Sequence, residues 1–299
     1  MSTAELATAP DGGALAAGDR APGGVRQWCR FLASELRLIF RRWRNLALLA
    51  VLVVLPVVLG IGLKVAGPNG GGGNGPAATF FSQLAGNGVF LAFIALSILL
   101  TLVLPLVMAV VSGDSLAGEA GTGTLRYLLT VPAGRTRLLA VKYTAVVIFG
   151  LVACLLVTVA SLIMGVILFP VGPVTLLSGT TVSLGVGLLH LLYVTLYVAA
   201  AMAALGAIGL AISSLTEHPI GAIAAVLVLA VASEVADQVA QFGVIHPYLP
   251  THFWLSFDSL LRTPIDTSSL LHGLLSFAAY IVIFGSIAWA RFASADVTS

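Results

Sequence analysis

The sequence predicts an all-α membrane protein with six transmembrane helices, and its composition, hydropathy and charge placement carry that prediction. Of its 299 residues, 59% are hydrophobic and only 9% are charged. The mean hydropathy is +1.07. Soluble domains carry roughly a quarter charged residues, because water must solvate their surfaces. This composition therefore excludes a cytosolic enzyme and a disordered protein.

Six apolar segments are long enough to cross a bilayer as helices. A bilayer core of roughly 30 Å requires about 20 helical residues at 1.5 Å each. The segments lack the alternation of apolar and polar residues that is typical of membrane β-barrels. Pro56 and Pro105 lie within the first and second segments, where proline can bend a helix. The predicted spans are residues 46–66, 88–112, 142–169, 182–213, 219–241 and 271–291.

The distribution of Lys and Arg predicts the orientation of these spans. Seven lie in the N-terminal segment, four between the second and third spans, and one in the C-terminal tail. Lys64 and Arg262 are the two on the opposite side. Because positive residues are enriched in cytoplasmic loops, both termini and the loop between spans two and three are predicted to be cytoplasmic.

Two segments precede the first span. Residues 1–23, rich in Ala, Gly, Asp and Pro, are predicted to form a disordered tail. Residues 24–45 are predicted to form an amphipathic helix in the headgroup layer, because apolar side chains at helical spacing are opposed by arginines. The alternative is a soluble helix packed on a cytosolic domain, but the sequence contains no such domain. The apolar residues are Val25, Trp28, Leu32, Leu36, Ile39 and Trp43.

The loop between spans two and three is the most informative segment. Leu125, Leu128 and Leu129 have the spacing of one apolar helix face, and Pro132 and Gly134 end that helix. A short amphipathic helix between two spans is suited to docking against a cytosolic partner. A loop lying on the membrane surface fits the same residues, and the pattern does not separate the two interpretations.

This loop also carries a pattern that resembles the signature of type-2 ABC exporter permeases, the transmembrane subunits of ATP-binding-cassette transporters. The six spans, the N-terminal amphipathic helix and the segment 241–270, predicted to form short helices, resemble that family too. The resemblance covers residues 25–299. The pattern is Glu119-x-x-x-Gly123-Thr124-Leu125-x-x-Leu128-Leu129-x-x-Pro132-x-x-Arg135-x-x-Leu138-Leu139-x-x-Lys142.

The resemblance implies that residues 46–299 form a six-span permease domain, paired with a second copy or a homologous permease. A separate cytosolic ABC ATPase would hold the ATP and Mg and would drive the permease. The implied transport is export across a bacterial plasma membrane, the inner one where there are two. Because the spans are rich in Leu, Val and Ala, the expected cargo is an amphipathic or lipophilic compound such as a drug, antibiotic or lipid. The implied coupling residues are Glu119, Gly123, Thr124, Leu125, Leu128, Leu129 and Arg135.

Neither a catalytic site nor a cofactor is predicted for this chain. It has no Walker motif, and it has no paired His or Cys at the spacing of metal ligands. Membrane lipids are expected partners, and nucleic acid is not.

Three ionisable residues within the predicted spans are candidates for the substrate path, because such groups are costly in lipid. They are His190, Glu234 and Asp237. His190 could instead hydrogen-bond a neighbouring helix. Glu234 and Asp237 lie about 22 and 27 Å along a helix that starts at Pro219, so they could simply mark its outer, hydrated end.

Two other classes of function fit the same topology. A secondary transporter driven by an ion gradient would show charged or broken helices at the midplane of both halves, and the sequence does not show them. A membrane protein of signalling or assembly, without transport, is the other alternative.

Overall fold

The computed structural model describes residues 24–66, 87–121, 135–176, 178–262 and 265–294, which form a helical bundle. The predicted tail, residues 1–23, lies outside this part of the chain. The helices are α1 (Gly24–Arg41), α2 (Trp43–Ala66), α3 (Phe90–Thr101), α4 (Val103–Gly121), α5 (Arg135–Leu168), α6 (Leu184–Leu215), α7 (Pro219–Gln238) and α8 (Thr267–Ser294). The other elements are an antiparallel pair, β1 (Val174–Thr175) with β2 (Thr181–Val182), and 3-10 helices at Ala240–Phe242, His246–Tyr248 and Ser256–Leu261.

In the described part of the chain, six helices are long and apolar enough to cross a membrane: α2 and α4 to α8. This confirms the predicted all-α class with six spans. The third span begins at Arg135 rather than at residue 142. Its first turns are amphipathic and bury Leu138 and Leu139. The hydropathy of the sequence marks only the part of this helix that is apolar on every face, from residue 142 onward.

The second predicted span, 88–112, consists of two helices. Leu102 separates α3 from α4 and has a non-helical backbone, with φ −138° and ψ −47°. Pro105 explains the break, because it has no N–H to donate to the carbonyl of Thr101 and its ring crowds that carbonyl. Pro56, by contrast, lies inside α2 without interrupting it.

Helix α1 is shorter than the predicted amphipathic helix at 24–45. It ends at Arg41, and Arg42 separates it from α2. Trp43, predicted on its apolar stripe, instead begins α2 and is 83% exposed. The remaining pattern is present, because Trp28, Leu32, Leu36 and Ile39 are partly buried while Arg26, Arg30, Arg37 and Arg41 are exposed. Its position in a headgroup layer remains a prediction.

The bundle has two ends that differ in composition. The basic end contains α1, the first turns of α2, α5 and α7, and the last turns of α4, α6 and α8. The loop end contains residues 239–262 and the opposite ends of the same spans. Helix α6 is central, since it packs against α4, α5, α7 and α8, and residues 201–211 of it are all buried.

Small residues bring α4 close to α6 and α7 near the basic end. A Cβ added to Gly209 of α6 would overlap the side chain of Ser112, and one added to Gly113 of α4 would lie 2.9 Å from the backbone nitrogen of Ile223. Membrane helices associate through such close backbone approaches. The second half of α4 is therefore held between two other spans.

Candidate functional site

Six charged side chains from four helices and one inter-helix residue meet at the basic end, and we call them the charge cluster. The cluster contains equal numbers of carboxylates and cations, so it is formally neutral. Its members are Glu35, Arg42, Arg44, Asp114, Glu119 and Lys142.

Lys142 is the buried centre of the charge cluster. Its Nζ lies 2.5 Å from Oε1 of Glu119 and 3.4 Å from Oε1 of Glu35, and its side chain is only 3% exposed. A buried ammonium requires such partners, because an unpaired charge in the interior loses its hydration without compensation. These two contacts join α5 to α4 and to α1.

Asp114 forms the second half of the charge cluster. Its Oδ2 accepts hydrogen bonds from Arg44, whose Nη2 lies 2.7 Å away, and from Arg42. The Asp114 side chain is 10% exposed, whereas the two arginine side chains are about half exposed. Because the arginines reach solvent, the loss of one of these pairs costs less than the loss of one partner from a fully buried pair. The contacts fix the α1–α2 junction beside α4.

Ser213 of α6 makes an additional neutral contact with α4. Its Oγ accepts hydrogen bonds from the backbone N–H of Leu116 at 3.1 Å and of Ala117 at 2.9 Å. The same hydroxyl donates to the carbonyl of Gly113 at 2.7 Å. In a regular α-helix the N–H of residue 117 donates to the carbonyl of residue 113. Here the hydroxyl of Ser213 lies between these two groups and bonds to both. The end of α4 is thus tied to α6.

The charge cluster includes the first of the predicted coupling residues, Glu119, which precedes the end of α4 at Gly121. The last of them, Arg135, is outside the cluster and is the first residue of α5. The predicted coupling residues between them, Gly123, Thr124, Leu125, Leu128 and Leu129, lie outside the described residues. Glu119 is turned toward Lys142, with 15% of its side chain exposed. Its ion pair therefore joins two helices of this chain.

The three candidates for the substrate path lie toward the loop end. The Nδ1 of His190 lies 2.8 Å from the carbonyl oxygen of Val186, in its own helix. Asp237 lies near the end of α7, where its Oδ1 is 2.6 Å from Nδ1 of His252. Glu234 is partly buried one turn earlier. Among the described residues, no hydrogen bond joins His190 to either carboxylate, so the structure does not assemble the three into one site.

Three spans hold the segment 239–262 at the loop end. From α6, the hydroxyl of Tyr197 donates to the carbonyl of Phe253 at 2.8 Å. From α8, the hydroxyl of Tyr280 donates to the carbonyl of Tyr248. The hydroxyl of Ser233 in α7 lies 2.8 Å from that of Thr251. The 3-10 helices in this segment confirm the short helices predicted between spans five and six.

Sequence reasoning missed the partners that complete the charge cluster. Glu35 lay unnoticed in the amphipathic helix, and Asp114 lay just beyond the predicted end of span two. Two signals were available in the sequence. Asp114 follows a long apolar run, and Lys142 is one of only two lysines and stands at the border of a predicted span. Charges in such positions require partners.

A comparison with protein families identifies the chain. Residues 41–233 match the family described as ABC-2 family transporter protein. The match includes α2 to α6, most of α7, and every member of the charge cluster except Glu35. No curated protein matches the sequence. The chain therefore belongs to the ABC-2 transporter family, and it is a multi-pass membrane permease component of an ATP-binding-cassette transporter.

Proposed function

We propose that this chain is the permease subunit of an ATP-driven exporter, and that a separate ABC ATPase drives it through residues 122–134. The charge cluster is the observation that carries this proposal. It joins Glu119, just before that segment, to Lys142, which lies two turns into the helix that follows it. A force applied to the segment therefore acts on α4 and α5 together.

The force would also reach the centre of the bundle. Ser213 connects the end of α4 to α6, and α6 packs against four other spans. Nucleotide binding to the ATPase would supply the free energy, because a conformational equilibrium shifts only when a ligand favours one state. The basic end would then face the cytoplasm, in agreement with the placement of positive residues.

The proposed cargo is an amphipathic or lipophilic compound, such as a drug or lipid, that leaves between two permease copies. Buried polar contacts in the middle of the spans are neutral, as between the hydroxyls of Thr158 and Thr195, 2.9 Å apart. A highly charged cargo would require opposite charges along its path. Within the described residues, the buried carboxylates lie instead in the charge cluster.

Replacement of Leu128 by Asp tests the proposed docking. The charge would remove the apolar face of the predicted coupling helix, so the ATPase should no longer co-purify with the permease. ATP-dependent transport of a lipophilic fluorescent dye into inverted vesicles should be lost as well. Leu215→Asp is the control, because Leu215 is 58% exposed at the same end of the bundle but lies outside the segment. Co-purification and transport that survive Leu128→Asp, or uptake driven by an ion gradient alone, would contradict the proposal.

Glu119→Gln separates coupling from docking. The amide retains the shape of the side chain but loses the charge that pairs with Lys142. We expect the variant to bind the ATPase normally and to transport less dye per ATP hydrolysed. Loss of ATPase binding would show that Glu119 contacts the partner directly, and an unchanged transport ratio would remove the charge cluster from the coupling path.

A further inference from the structure

An apolar groove lies between α5, α6 and α8 at the basic end, apart from the charge cluster. Its volume is about 260 Å³. The hydroxyl of Tyr143 donates to the carbonyl of Ala203 at 3.2 Å, so this polar atom is already bonded. The residues that define the groove include Thr136, Leu139, Tyr143, Leu210, Gly285 and Trp289.

The lining of the groove indicates what can occupy it. Apart from the hydroxyls of Thr136 and Tyr143 and the indole N–H of Trp289, its side chains are apolar. A single flexible hydrocarbon chain with a polar group at one end is suited to such a lining. The groove also has open space at Gly285, where an added Cβ would meet no atom within 4 Å.

The polar end of the groove is suited to a phosphate group. Thr136 and Trp289 supply a hydroxyl and an indole N–H, and Trp289 is 51% exposed. Tryptophan is typical of the membrane interface. Arg137 follows Thr136 directly, and the exposed Arg291 lies two residues after Trp289. Positive side chains at this depth attract anionic headgroups.

We propose that this groove binds one phospholipid from the leaflet at the basic end, with a preference for an anionic headgroup. One acyl chain lies along Gly285, and the phosphate lies near Thr136 and Trp289. The inference does not depend on the ATPase or on the cargo, because it rests on the groove and its charges alone.

Native mass spectrometry of the full chain, delipidated and titrated with phosphatidylglycerol, tests this site. Gly285→Leu fills the groove, and its Cβ has room. Gly62→Leu is the matched control, because Gly62 lies in a span and an added Cβ there also meets nothing within 4 Å. We expect wild type and Gly62→Leu to retain one lipid, and Gly285→Leu to bind it at least about tenfold more weakly, as the exclusion of two methylene groups implies. Gly285→Ala should be intermediate, and it provides the test if the leucine variant does not insert.

Three results would overturn the assignment. Equal lipid binding by the Gly285 and Gly62 variants would show that the lipid lies elsewhere. Equal binding of phosphatidylcholine and phosphatidylglycerol to the wild type would remove the anionic preference. A dimer that dissociates in Gly285→Leu, with lipid binding unchanged, would assign the groove to a second copy of the chain.

Discussion

The two ends of the bundle are held together by different kinds of contact. At the basic end, Lys142 and Asp114 place charges in positions that are 3% and 10% exposed, and their partners come from other helices. At the loop end, neutral bonds from Tyr197 and Tyr280 to backbone carbonyls hold residues 239–262. The loop end also has an ion pair between Arg262 and Asp258 and a contact between the carboxylate of Asp237 and the imidazole of His252, but all four side chains are a quarter or more exposed.

This difference determines how each end can move. Breaking the buried contacts of Lys142 leaves a charge without compensation, so α1, α4 and α5 must move together at this end. The neutral hydrogen bond from Tyr280 to the carbonyl of Tyr248 is exposed, and it can be exchanged for one to water at a net cost of about 1 kcal/mol. The basic end is thus suited to move as one body, while the exposed contact between α8 and residues 239–262 can open by itself. The proposed export, driven from the basic end, would use this combination.

The largest effect should follow from Lys142→Met, which leaves Glu35 and Glu119 without their shared cation. We expect the free energy of unfolding in micelles to fall by about 3–5 kcal/mol. The control is Lys64→Met at the loop end, because Lys64 is exposed and, within the described part of the chain, its one hydrogen bond is to the carbonyl of Leu168, at 2.5 Å. Its cost should be about 1 kcal/mol or less. Similar losses for the two lysines would contradict the contrast between the ends.

An intermediate effect is expected for Ser213→Ala, which tests the neutral contact at the basic end. The loss of the hydroxyl should lower the free energy of unfolding by about 1–3 kcal/mol, because buried backbone groups of α4 lose a partner. The amides of Leu116 and Ala117 should exchange hydrogen faster. Ser214→Ala is the control, since the Ser214 hydroxyl donates within its own helix, to the carbonyl of Ala211, and to no other described residue. Unchanged exchange at both amides would show that Ser213 does not hold α4.

The smallest effect concerns Asp266, an exposed carboxylate at the loop end. It accepts hydrogen bonds from Ser268 and Ser269 at the start of α8, and these bonds lower the pKa of Asp266 from 3.8 to about 2. Because the folded-state pKa is depressed, its stabilising contribution is present above about pH 4 and is lost as the pH falls toward 2. Hydrogen exchange in the first turn of α8 should therefore accelerate over that range, and Asp266→Ala should abolish the pH dependence. A wild-type first turn whose exchange shows no such pH dependence beyond the intrinsic rate would contradict this role.

Hydropathy was sufficient to predict the six spans, because a bilayer imposes a minimum apolar length on every helix that crosses it. It failed where a helix continues beyond that length. The first turns of α5, with Arg137, lay outside the predicted span because their apolar residues cover only one face. The break at Leu102 was predictable in part, since Pro105 marked a bend without showing that the helix would be divided.

Hydropathy could not predict the contacts of the charge cluster either, for a different reason. Glu35 and Lys142 are separated by 107 positions in the sequence, and their contact depends on how α1 and α5 are rotated about their axes. An apolar profile contains no information on that rotation. The recognised pattern did include Glu119 and Lys142, but as separate positions and not as a pair. Their 2.5 Å contact required the structure.

The interruption at Leu102 provides a point about which α4 can tilt, in the middle of the second span. From Val103 to Gly121, α4 is about 27 Å long, so a tilt of only 10° would displace its end at Gly121 by roughly 5 Å, nearly the pitch of one helical turn. Helix α3 need not follow, because the helical conformation is interrupted at Leu102. A small tilt of α4 about Leu102 can thus produce a large displacement at the basic end, while α3 stays in place.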